Sequence, residues 1–219
     1  MKGVAPLKDI EHFWLRRLHS LSGVIPIGAY LIFHLCANYF AVYGPKAYNI
    51  PIQALANFPF TIWLEFGVIY LPLLFHILIG IKIMRGANPN QLQYPYWRNW
   101  AYMLQRLSGI VLVFFIGWHM WETRIAKALY GTEINFELMA NILQSWWSKT
   151  FYVVGITCAC FHFANGMATF CIAWGITVGH RSQKAALILF YLLGAILLGM
   201  GLTTVFSFTP AALHARGPL

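Results

Sequence analysis

Hydrophobic residues gather into five long runs separated by short polar stretches, at 18–43, 59–83, 105–126, 150–178 and 185–208. Each run is long enough to cross about 30 Å of hydrocarbon. Lipid offers the backbone no hydrogen-bonding partner, so each run is expected as a helix. The pattern predicts an all-α integral membrane protein with five transmembrane helices and a single domain over 1–219. Three connecting stretches carry weaker signals. Ile10, Phe13, Trp14 and Leu15 alternate with Arg16 and Arg17 ahead of the first run, which predicts a short interfacial amphipathic turn. Segment 85–104 is polar and aromatic, with Pro89 and Pro95, and reads equally as surface loop or docking surface. In segment 125–149, Ile134, Phe136, Leu138, Met139, Ile142 and Leu143 predict a short helix lying along the interface.

Composition strengthens the membrane reading. The chain is 59% hydrophobic and 10% charged, with a mean hydropathy of +0.63. A soluble domain of this length has no use for so much apolar surface. A net charge of +9 would suggest nucleic acid in a soluble protein. Here it is read as topology, and no nucleic-acid partner is expected. With the N-terminus in the cytoplasm, the inner segments hold ten Lys and Arg (Lys2, Lys8, Arg16, Arg17, Lys82, Arg85, Arg98, Arg106, Arg181 and Lys184) against five outside (Lys46, Arg124, Lys127, Lys149 and Arg216). Trp63, Trp121, Trp146 and Trp147 then mark the outer interface, and Trp14, Trp97, Trp100 and Trp174 the inner one. No small-residue cleavage site follows the first run, so an uncleaved first helix is expected. Cys36, Cys158, Cys160 and Cys171 all lie in apolar runs without a C-x-x-C pair, which argues against disulfides, a thiolate zinc site and covalent haem.

The candidate chemistry lies in the histidines. His34, His76, His119 and His162 occur once in each of the first four runs, at spacings of 42, 43 and 43. Ionisable groups at membrane depth are costly and point to function. One histidine per helix suits two pairs of axial ligands for two non-covalent b-type haems, held in a bundle of the first four helices. Depth supplies the pairing. His34 lies 17 residues past inner Arg17, and His119 lies 13 past Arg106 and five before Arg124, so both are in the outer half. His76 precedes Lys82 by six residues and is in the inner half. His162 reaches that level if the inner end of its helix protrudes from the membrane. The reading pairs His34 with His119 and His76 with His162. Gly80 and Gly166, each four residues past an inner ligand, would leave room for a flat macrocycle, although small-residue helix packing explains them equally well. Arg106 and Arg17 either snorkel or meet haem propionates at the inner surface, with His19 beside Arg17 and Ser20 as a further contact. His12, His180 and His214 lie at ends or interfaces and read as ordinary. A faint internal echo joins Arg17-Leu18-His19-Ser20-Leu21-Ser22-Gly23 to Arg106-Leu107-Ser108-Gly109, read as similar packing demands.

Several stretches carry a family resemblance: 16–26 (Arg16-Arg17-Leu18-His19-Ser20-Leu21-Ser22-Gly23-Val24-Ile25-Pro26), Phe33-His34-Leu35, Leu71-Pro72-Leu73-Leu74-Phe75-His76, Gln105-Arg106-Leu107-Ser108-Gly109 and Trp118-His119. Together they resemble the dihaem cytochrome b membrane anchor of succinate:quinone oxidoreductases, the single-subunit form of succinate dehydrogenases and quinol:fumarate reductases. The resemblance runs from about residue 13 to 208. It implies a multi-pass protein of the bacterial cytoplasmic membrane with two b haems in the same ligand pairing. It also implies a flavoprotein and an iron–sulfur subunit docked on the cytoplasmic side. Electrons would pass between the iron–sulfur subunit and a quinone, usually menaquinone, within the respiratory chain and tricarboxylic acid cycle; the dicarboxylate site belongs to another subunit. Some fumarate-reductase relatives carry a proton-route glutamate two residues before the fourth ligand, where this chain has Cys160. Quinone chemistry moves protons, and Glu65, an acidic residue near the start of the second run, is the candidate catalytic carboxylate. It lies 11 residues before His76, which brings it toward the outer pair. A carboxylate at a helix start facing the interface is the plain alternative. Asn38, Trp121, Glu122 and Arg124 are possible neighbours.

Three other readings stay open on sequence. They are a dihaem anchor of a hydrogenase or formate dehydrogenase, a haem-free transporter relaying protons through histidines, and a purely structural tether for soluble subunits. No inverted repeat with matching interrupted spans supports the transporter.

Overall fold

The computed structural model describes residues 7–209, with side chains from His12 onward. Lys2, His214 and Arg216 lie outside the described residues, as do the side chains of Lys8 and Ile10. Every regular element among the described residues is helical, and five helical stretches are long and apolar enough to cross a membrane: His12–Tyr43, Thr61–Arg85, Trp97–Tyr130, Trp146–Ala173 and His180–Ser207. The first span is two helices, α1 (Leu7–Val24) and α2 (Ile27–Tyr39). They meet at Pro26, whose ring has no N–H to continue the ladder. The expected amphipathic turn is instead the start of α1, because no proline or glycine breaks the chain between Leu7 and Gly23. A helix the hydropathy pattern did not single out, α3 (Pro45–Ala56), follows with Pro at its start, where the missing N–H costs nothing.

The second span runs from α4 (Thr61–Leu64) through a π-helical stretch, Glu65–Tyr70, into α5 (Leu71–Arg85). The third is α6 (Trp97–Met120), a second π stretch, Trp121–Ile125, and α7 (Ala126–Tyr130). It is much longer than the apolar pattern indicated, because polar residues flanking the run continue the helix. A short α8 (Phe136–Ile142), capped by the Asn135 side chain accepting from Leu138 N–H at 2.9 Å, leads to α9 (Trp146–Ala173) and α10 (His180–Ser207).

Glycines let α9 and α10 approach closely. A Cβ on Gly194 would come within 2.7 Å of the Ala164 Cβ, and one on Gly201 within 2.6 Å of Ile156 Cγ2. The end bearing the start of α1 and the α5–α6 connection is called proximal here, and the opposite end distal. At the distal end, Tyr48 of α3, Phe136 of α8 and Phe208 just past α10 form a buried aromatic cluster, with Tyr48 and Phe208 edge-to-face at 5.0 Å. Asn49 accepts from the Phe136 N–H at 2.9 Å and ties α3 to α8. The 125–149 connection therefore does more than lie along the interface: Phe136, Met139 and Leu143 are turned inward and buried, because α3 offers them an apolar partner.

Candidate functional site: two facing histidine pairs

His76 of α5 and His162 of α9 meet in the proximal half, ring centres 6.3 Å apart and planes at 76°. Their Nδ1 atoms are held alike. His76 Nδ1 lies 3.0 Å from the His19 carbonyl and 3.2 Å from Ser22 Oγ. His162 Nδ1 lies 3.0 Å from the Gln105 carbonyl and 3.1 Å from Ser108 Oγ. Each serine also donates to the same carbonyl, at 2.9 and 3.1 Å. A carbonyl can only accept, so the imidazole proton is on Nδ1 and the Nε2 lone pair is left for a metal. Such an outer hydrogen bond is how proteins fix the tautomer and orientation of a ligating histidine.

The sequence echo thus has a physical meaning. His19-x-x-Ser22-Gly23 on α1 and Gln105-x-x-Ser108-Gly109 on α6 perform the same task for two rings. The glycines bring each backbone against the imidazole: a Cβ on Gly23 would lie 2.5 Å from His76 Cε1, and one on Gly109 3.2 Å from His162 Cε1. Gly80 and Gly166 stand beside the residues that hold these rings. They face His19 and Gln105, which a Cβ would approach to 3.2 and 3.6 Å.

His34 of α2 and His119 of α6 form the distal pair, ring centres 5.8 Å apart and planes at 75°. His119 Nδ1 lies 3.1 Å from the Tyr152 hydroxyl, which itself donates to Glu122 Oε2 at 3.0 Å. The hydroxyl proton is committed to the carboxylate, so the oxygen accepts from Nδ1–H and His119 Nε2 is bare. His34 is held more loosely, with Tyr30 Oη 3.5 Å from Nδ1 and Asn38 Nδ2 3.5 Å from Nε2. Asn38 donates to the His34 carbonyl at 2.8 Å and accepts from Tyr48 at 3.2 Å.

An imidazole nitrogen sits about 2 Å from a bound first-row metal, so two axial imidazoles have nitrogens about 4 Å apart and ring centres about 6 Å apart. The ring centres of both pairs stand at about that separation, 5.8 and 6.3 Å. Among the described residues no group of three or more His, Cys, Asp or Glu converges on one point. A two-histidine donor set suits a metal whose other four ligands come from a macrocycle.

The residues nominated for propionates gather at the proximal end. Arg17 donates to the Ala173 carbonyl at 2.9 Å and lies between the Phe13 and Trp174 rings, 4.7 and 4.9 Å from their centres. Arg106 donates to the Tyr102 carbonyl at 2.6 Å and lies 3.3 Å over the Tyr102 ring. His19 stacks on His76 at 4.0 Å. Arg17 Nε, Arg106 Nε and His19 Nδ1 are buried without a hydrogen-bond partner, and the two guanidinium N–H groups are donors suited to an anion. Ser20 differs. Its hydroxyl donates to the Arg17 carbonyl at 2.9 Å and accepts from Trp174 Nε1 at 3.0 Å, so it ties α1 to the end of α9.

Glu65 does not face the interface alone. It lies in the first π stretch and forms an ion pair with Arg124 of the second, with Arg124 Nε donating to Oε2 at 2.9 Å. Of the other proposed neighbours, Glu122 belongs to the His119 chain, Asn38 holds the His34 carbonyl, and Trp121 is half exposed. Sequence reading assigned no role to Tyr152, Ser22, Ser108 or Gln105. The echo carried a signal for Ser22 and Ser108, and the family motif 105–109 one for Gln105.

Residues 87–209 match the family of succinate dehydrogenase/fumarate reductase transmembrane subunits. The chain is also 45% identical to the succinate dehydrogenase cytochrome b558 subunit of Bacillus subtilis (strain 168) over 198 residues, which cover 90% of this chain and 98% of the relative. These matches displace the reading as a hydrogenase or formate dehydrogenase anchor. Five apolar spans and this relative make the chain a multi-pass protein of the bacterial cytoplasmic membrane. With a family match over more than half its length and a relative aligned nearly end to end, the chain belongs to the succinate dehydrogenase/fumarate reductase transmembrane subunits.

Proposed function

We propose that this subunit carries electrons between a membrane quinone and the iron–sulfur subunit of its complex by way of two b haems. His34 and His119 hold the distal one, and His76 and His162 the proximal one. The observation that supports this is the pair of facing imidazoles at each level, separated as axial ligands require, with Nδ1 engaged and Nε2 bare in three of the four. When bound, each haem supplies a one-electron couple. The chain supplies the rest: carbonyls and serines orient the proximal rings, and Arg17, Arg106 and His19 hold propionate charge with their unpartnered nitrogens. The proximal end is the cytoplasmic one, where the flavoprotein and iron–sulfur subunits dock. Quinone, in this form menaquinone, binds near the distal pair, and Glu65, held by Arg124, exchanges protons with it.

A dithionite-reduced minus oxidised spectrum with a pyridine haemochrome count on the purified complex tests the reading. The expected result is two low-spin b haems per subunit, falling to one in His119→Leu. Absence of haem from the wild-type complex would overturn it in favour of a proton-relaying transporter or passive tether.

A further inference from the structure

The four candidate ligands differ in what stands behind them. Behind His76 and His162 are neutral carbonyls and serines, and His34 has only neutral contacts at 3.5 Å. Behind His119 is a carboxylate, reached through one hydroxyl: Nδ1 to Tyr152 at 3.1 Å, Tyr152 to Glu122 at 3.0 Å. Three separate elements build this chain. His119 lies in the last turn of α6, Glu122 in the π stretch that follows, and Tyr152 in the second turn of α9. Tyr152 is itself 3% exposed and wedged edge-to-face against Phe115 at 5.4 Å, so its hydroxyl has little freedom to turn elsewhere.

We infer that Tyr152 and Glu122 are positioning residues that act through His119 to set the reduction potential of the distal haem. The inference rests on the histidine ligation proposed above. A carboxylate at the end of a hydrogen-bond chain draws the Nδ1 proton outward and makes the imidazole a stronger donor through Nε2. Oxidised iron carries one more positive charge than reduced iron, so the stronger donor and the nearby negative charge favour the oxidised form. The chain therefore lowers the distal potential and leaves the proximal one alone, and two chemically identical cofactors become inequivalent.

The test is a redox titration of the intact complex, followed optically, with the distal signal identified as the one missing in His119→Leu. Glu122→Gln keeps an acceptor for the tyrosine hydroxyl and removes only the charge. Tyr152→Phe keeps the ring and removes the link. Each is expected to raise the distal midpoint by at least tenfold in the reduction equilibrium, 59 mV for one electron, with the proximal midpoint unmoved. Should Tyr152→Phe shed the distal haem, Glu122→Gln decides. An unmoved distal midpoint in Glu122→Gln overturns the inference, as does an equal shift of both haems or loss of the distal haem from that variant. A wild-type complex without two haems would instead overturn the ligation reading, so the two failures are distinguishable.

Discussion

How closely α1 can pass His76 depends on a single missing methyl group. At Gly23 a Cβ would fall 2.5 Å from His76 Cε1, a distance that something must yield to relieve, whereas at Gly109 the gap to His162 Cε1 is 3.2 Å. Overpacking of a close contact costs about 1–3 kcal/mol. Gly23→Ala is therefore expected to push α1 off the ring, break the hold of the His19 carbonyl on Nδ1, and lower proximal haem content and thermal stability together. Gly109→Ala should keep both haems, since a shift of a few tenths of an ångström suffices. Haemochrome counts and melting temperatures of the two variants check this, and equal losses would contradict it. The echo between 17–23 and 106–109 was legible in the sequence, but its use was not. Which ring a glycine meets depends on how each helix is rotated about its axis. The ring-bearing α5 and α9 are apolar on nearly every side and leave no amphipathic stripe to fix that rotation.

Among elements, the spans were legible because lipid leaves the backbone no alternative to helix. Two other features were not. Helix α3 mixes Lys46, Asn49, Gln53 and two prolines with apolar residues, so nothing in its composition marks Tyr48 as almost wholly buried. The π stretches have no composition signature either, yet each widens a turn of its helix and so changes where the side chains after it point. Glu65–Tyr70 and Trp121–Ile125 bring Glu65 and Arg124 together across two spans in an ion pair. A carboxylate fixed in this way can face a quinone headgroup without drifting to the interface. Glu65→Gln is expected to cut quinone-dependent succinate oxidation tenfold or more while both haem spectra and turnover with a soluble artificial acceptor stay at wild-type levels. Undiminished quinone turnover would remove Glu65 from the reaction.

For the molecule as a whole, the consequence of stacking two histidine pairs is electrical. If the iron–sulfur subunit docks at the proximal, cytoplasmic end and quinone reacts at the distal end, every electron crosses much of the membrane dielectric. Each charge moved through 100 mV is worth about 2.3 kcal/mol, hence about 4.6 kcal/mol for the two electrons of a quinone. Electrons travelling outward move toward the positive side. The membrane potential therefore assists succinate oxidation and opposes fumarate reduction, unless protons make the same journey and cancel the charge. A carboxylate two residues before His162 would be placed for such a proton route. Cys160 stands there instead, 2% exposed, and its backbone carbonyl packs against Gly194 of α10. In proteoliposomes carrying the complex with its soluble subunits facing the lumen, an imposed inside-negative potential should accelerate succinate-to-quinone transfer and slow the reverse. Collapsing the potential with potassium and valinomycin should abolish both effects. Rates indifferent to the potential would mean that quinone reacts on the same side as the dicarboxylate or that protons accompany the electrons by another path.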